Sequence, residues 1–107
     1  MRPSTIPKLT PADADAAYTA AQKVVDVHRK LANWLRPGVT MAHIDTFVAK
    51  TLDELGCKSC FLGYRVPKSP AFPSHACLSV NECVVHGTAG YYTPPMKIGD
   101  VLKIDIG

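Results

Sequence analysis

From residue 10 onward, apolar positions recur at intervals of three and four. Ala17, Ala21, Val24, Leu31 and Leu35 fall on one stripe with His28 among them, the spacing of an amphipathic helix. Thr10, Pro11 and Asp13 supply its start: a hydroxyl cap, a proline where no N–H is needed, and an acid in the first turn. Arg36-Pro37-Gly38 ends it. Thr40 caps a second predicted helix whose apolar face holds Ile44, Phe47, Val48, Thr51, Leu52 and Leu55. Gly56 stops that helix, since glycine takes the left-handed conformation without strain. A short turn joins the two, so they are expected to pack as an antiparallel or crossed pair.

After Gly56 the pattern shortens. Cys60–Tyr64 reads as a brief strand, followed by a loop from Arg65 to His75 that Pro67, Pro70 and Pro73 keep out of helix and central strand. Ala76–Val80 and Cys83–Val85 read as strands around a polar corner at Asn81-Glu82. Thr88–Pro95 is a further loop, and Val101–Ile106 carries the strongest strand pattern. Residues 1–9, with Pro3 and Pro7, read as a flexible lead-in, and residues 10–107 as one domain. Two helices followed by three or four strands predict an α+β fold, with the helices on one face of an antiparallel sheet.

The bulk numbers narrow this little. A chain of 107 residues with 47% hydrophobic residues suits one small globular domain. The net charge is +3 and the pI about 8.7. The basic residues are scattered, apart from Lys23, His28, Arg29 and Lys30 on the first helix and Arg65 and Lys68 in the loop. That is a solvated face rather than the footprint of a nucleic-acid binder. No run approaches the ~18 apolar residues of a membrane span, and the first residues lack a signal-peptide core. The expected compartment is the cytoplasm, where the four cysteines stay reduced. Cys57-Lys58-Ser59-Cys60 is a C-x-x-C that Cys77 or His75 would have to complete into a zinc site; plain core packing of these thiols is the competing reading.

Candidate chemistry lies in Ser79-Val80-Asn81-Glu82-Cys83-Val84-Val85-His86-Gly87 and Gly99-Asp100-Val101-Leu102-Lys103-Ile104-Asp105. A carboxylate inside an apolar strand needs a partner, because a buried unpaired charge is costly; for Asp105 the expected partner is a cation or metal. A strand also aims such a group rigidly. His86 carries an imidazole able to exchange a proton near neutral pH or ligate a metal, and Gly87 permits close approach. A satisfied strand-end histidine and a solvent-facing carboxylate explain the same residues, and the residues alone leave both readings open.

Those two strings, with Pro37-Gly38-Val39-Thr40, Ile44-Asp45 and Gly63-Tyr64, resemble the N-terminal half of type I methionine aminopeptidases, from about residue 12 to the end. The resemblance implies the N-terminal half of a pita-bread fold, a curved antiparallel sheet holding a two-metal centre with helices outside. It implies hydrolytic removal of the initiator methionine from nascent proteins when the second residue is small. The implied cofactors are two divalent ions, of cobalt, manganese, iron or zinc. On the family pattern His86 is the histidine that hydrogen-bonds substrate near the scissile amide, and Asp105 is the first of five metal ligands. Tyr64, Phe72 and Cys77 would line the pocket for the methionine side chain, with core packing as their competing reading.

The implied partner is the N-terminal peptide of nascent proteins, the ribosome being a further candidate; no nucleic acid or membrane is implied, and the complete enzyme would be a monomer. Two features depart from the usual type I pattern. The loop between Tyr64 and Cys77 is longer, and Lys103 with Asp105-Ile106-Gly107 is also similar to type II and proline-specific relatives. No other acidic residue of the chain matches a metal position, so the remaining ligands are expected beyond Gly107. The expectation is therefore an incomplete fragment, inactive by itself. Its rivals are a non-catalytic half-domain acting as a binding module and a small zinc-binding protein.

Overall fold

The computed structural model describes residues 6–107; residues 1–5 of the expected lead-in lie outside them. Helix α1 spans Pro11–Trp34 and helix α2 Met41–Glu54, followed by strands β1 (Cys77–Val80) and β2 (Leu102–Asp105). Both helices start as the sequence indicates, on capping boxes. The Thr10 hydroxyl accepts from the Asp13 N–H at 3.1 Å, and the Asp13 carboxylate accepts from the Thr10 N–H at 3.0 Å. At α2 the Thr40 hydroxyl accepts from the His43 N–H, while His43 Nδ1 takes the place of the usual acid.

The core forms where α1, α2 and the strands meet. Val27 and Leu31 of α1 join Met41, Ile44, Val48 and Leu52 of α2, and Ala76, Leu78, Val80 and Ile106 close it from the sheet side. Trp34 and Phe47 stack across the helix pair with ring centroids 4.5 Å apart. The expected α1 stripe holds only in its second half, since Ala17 and Ala21 are exposed and Val27 takes the buried place. The reason is length. The 24 residues of α1 extend about 36 Å and the 14 of α2 about 21 Å, at about 1.5 Å per residue, so α2 cannot cover the first turns of α1.

β1 and β2 pair antiparallel, with Cys77 opposite Asp105, Leu78 opposite Ile104 and Val80 opposite Leu102. All four residues of β1 are buried, whereas β2 is more open. Among the described residues these are the two strands of the sheet, fewer than the three or four expected. Cys60–Tyr64 is a bend because the Ser59 hydroxyl accepts from the N–H groups of Phe61 and Leu62 and Gly63 has φ +80°. Side-chain capture of those amides replaces a ladder. Cys83–Val85 follows a turn at Asn81-Glu82 and is irregular instead of a strand. The Cys83 N–H bonds back to the Val80 carbonyl at 3.0 Å, and Val84 and Val85 are exposed.

Candidate functional site

The corner after β1 is fixed by Asn81, which has φ +52°. Its N–H donates to the Val101 carbonyl at 2.7 Å and its side-chain oxygen accepts from the Val101 N–H at 2.9 Å. One asparagine thereby adds a rung to the β1–β2 ladder. Its side-chain NH₂ donates to Asp100 at 3.2 Å, and its carbonyl accepts from Lys103 Nζ at 2.6 Å. Asp100 also accepts from the Lys97 N–H. That backbone bond first, and the Asn81 bond next, hold its carboxyl below the ordinary carboxylate range.

The turn begun at Asn81 delivers His86, which also has a left-handed backbone, φ +60°. Such a conformation is uncommon for a side chain of this size and persists where its surroundings over-determine it. Here Gly87 does so. It lies against β1, accepting from the Leu78 N–H at 2.8 Å and donating its own N–H to the buried Ser79 hydroxyl at 3.1 Å.

His86 borders a cavity of about 800 Å³. Asp105 of β2 and Cys77 of β1, opposite one another in register, line it as well. So do Tyr64 and Phe72, with Cys60, Phe61 and Thr88. All five residues singled out in the sequence, His86, Asp105, Tyr64, Phe72 and Cys77, thus face one space, although they come from four segments. Asp105 departs from expectation in one respect. It is exposed rather than buried, so water compensates its charge and no partner is demanded by burial. Cys77 is 6% exposed. Burial first, then the Asp105 carboxylate and Cys60, push its thiol pKa up, so it stays a neutral, apolar wall.

Two contributors were not visible in the sequence as site residues. Cys60 faces the cavity instead of completing a C-x-x-C site, held there by its N–H bond to the Gly107 carbonyl. Asp45 is buried on α2 and accepts from the N–H groups of His75 and Ala76, each at 2.9 Å, and pairs with His75 Nδ1 at 3.0 Å. It ties the second helix to the start of β1. Its signal was an acid inside the apolar face of α2, flanked by Ile44 and Val48.

Among the described residues no three His, Cys, Asp or Glu side chains gather where they could hold an ion. Asp105 offers one carboxylate, and divalent ions of this kind need several oxygen or nitrogen ligands. These residues alone do not fit a two-metal site, and Cys57, Cys60, Cys77 and His75 do not assemble a zinc site either. No helix among them is long and apolar enough to cross a membrane.

A histidine and a carboxylate thus line an apolar cavity beside a helix-backed antiparallel pair. Residues 15–107 match metallopeptidase family M24, and the chain belongs to that family. Within it, the chain is similar to methionine aminopeptidases. It is 36% identical over 89 residues to the methionine aminopeptidase of Aquifex aeolicus, an overlap of 82% of this chain and 34% of that protein. It is 31% identical over 98 residues to methionine aminopeptidase 1 of Bacillus subtilis, 92% of this chain and 37% of that protein. The crystal structure of methionine aminopeptidase from Thermotoga maritima aligns with a TM-score of 0.81 at 28% identity, over 95% of this chain and 39% of that one. The chain therefore spans a little over a third of these relatives' length, and its α+β architecture is the N-terminal part of their pita-bread fold.

Proposed function

We propose that residues 10–107 form the N-terminal portion of a methionine aminopeptidase, which removes the initiator methionine from nascent proteins when the second residue is small. The convergence of Tyr64, Phe72, Cys77, His86 and Asp105 on one cavity carries this reading. An apolar, aromatic-edged wall suits a polarizable thioether. His86, which borders the same cavity, hydrogen-bonds the amide following the methionine. Asp105 contributes one metal ligand. The other ligands come from polypeptide outside these 107 residues, so no hydrolytic step is assigned to this chain alone. The enzyme's surroundings are those of nascent chains in the cytoplasm, with the ribosome as a candidate neighbour and the assembled enzyme a monomer.

Two measurements test this. Calorimetric titration with cobalt or manganese should show weak binding, and a Met-Ala-Ser hydrolysis assay no turnover; tight stoichiometric binding or turnover would sink the incomplete-site reading. In NMR titrations, Met-Ala-Ser should shift the signals of Tyr64, Phe72 and His86. Shifts confined to other residues would overturn the pocket assignment.

A further inference from the structure

Half of the residues lining the cavity belong to one short excursion of the chain: Tyr64, Val66, Pro70, Ala71, Phe72 and Pro73. This segment is a hairpin-like strap. The Gly63 N–H donates to the Phe72 carbonyl at 2.8 Å and the Phe72 N–H donates to the Tyr64 carbonyl at 2.7 Å. At its tip the Ser69 N–H donates to the Val66 carbonyl at 3.1 Å, with Pro67 second and Lys68 third at φ +65°. Proline followed by a positive φ is the arrangement of a type II turn. Phe72 leans edge-on against Phe61 at 6.4 Å, which fixes the base of the strap to the rest of the cavity.

One side chain bridges the strap along its length. Arg65 Nε donates to the Ser69 carbonyl at 2.8 Å, between the two backbone bonds below and the turn above. Tyr64 and Val66, on either side of Arg65, are 64% and 45% exposed. They are apolar groups facing an open space with little packing of their own. Without Arg65 nothing would tie the turn at the tip to the two backbone bonds and the Phe72–Phe61 contact at the base, and short hairpins are marginal in water.

We infer that Arg65 is a specificity-determining residue: it holds the 63–72 strap as a preformed wall, which selects a long apolar N-terminal side chain over a short one. The assignment rests on the methionine-pocket reading. Preforming the wall removes an ordering cost that the ligand would otherwise have to offset, and only a side chain long enough to reach Tyr64 and Val66 benefits. Arg65 itself touches no reacting atom and acts through the strap.

The test uses the 107-residue chain, its R65A and R65K variants, and NMR titration with Met-Ala-Ser and Ala-Ala-Ser. In R65A the preference for the methionine peptide should fall about fivefold, the equivalent of one net hydrogen bond. Amide exchange at Gly63 and Phe72 should quicken severalfold, while that at Leu78 and the melting temperature stay unchanged. R65K, which keeps a donor, should recover part of the preference. An unsubstituted chain that does not distinguish the two peptides refutes the methionine pocket itself. One that does, with an R65A variant that distinguishes them equally well, overturns the role of Arg65 alone.

Discussion

Gly87→Ala is the most informative single substitution. Gly87 is not among the left-handed glycines, so the effect of a side chain there is steric. An added Cβ would be driven into the Leu78 carbonyl oxygen, and would sit 2.8 Å from the Leu78 carbonyl carbon and 3.0 Å from the Ser79 Cα. These are backbone atoms of the buried strand β1, which cannot turn aside as a flexible side chain would. Relief requires the 86–88 segment to retreat, stretching the Leu78–Gly87 and Gly87–Ser79 hydrogen bonds. Overpacking costs about 1–3 kcal/mol, and each strained bond adds about 1 kcal/mol. The expected loss is about 3 kcal/mol, a fall in melting temperature of more than about 10 °C for a domain of this size. Urea denaturation followed by circular dichroism measures it, with Gly90→Ala as the control. Nothing lies within 4 Å of a Cβ at Gly90, so that variant should stay within about 0.5 kcal/mol of the parent. A loss below about 1 kcal/mol in G87A would refute the claim that the glycine locks the histidine turn onto β1.

Three further outcomes are expected. Asp45→Ala strands the N–H groups of His75 and Ala76 in a mostly buried place and should cost about 3 kcal/mol in urea denaturation, while Asp45→Asn, which keeps an acceptor, should cost less. Iodoacetamide at pH 8 should modify exposed Cys60 well before Cys77, whose pKa is raised; mass spectrometry reads the order, and equal rates would contradict the buried wall. Stability should also bend at both ends of the pH scale. The raised Cys77 pKa means the native state holds a proton that the unfolded thiol releases near its ordinary value of 9.0. Stability is therefore full below that pH and declines as pH rises through the higher native value, a decline Cys77→Ala should remove. Asp100 has the opposite sign. Its lowered native pKa supports the fold above the ordinary 3.8 and that support is lost as pH falls through the native value, a loss absent in Asp100→Asn.

What the sequence disclosed and what it concealed divides by the range of the interactions. Thr10 and Thr40 cap through residues three positions away, so both helix starts were legible. The β1 and β2 segments were found within a residue or two because their apolar runs are continuous. Cys60–Tyr64 and Cys83–Val85 have apolar composition suited to strands, yet local bonds from Ser59 and Val80 turn the chain first. Asp45 acts across 30 residues, and nothing near it in the chain announces that partner. Asp105 is exposed despite its apolar run for a related reason. Its neighbours are apolar, but its own face of β2 looks into the cavity. His86 and Asp105 stand out by their own chemistry, whereas Tyr64, Phe72 and Cys77 are identified by resemblance to a family; proximity across four segments is a property of the folded chain.

The outer turns of α1 offer a practical handle. Residues 11–22 are exposed and supply nothing to the core, while the cavity is built from segments beyond residue 59. A dye, a purification tag or a surface tether attached near Tyr18 should therefore leave the binding space unobstructed.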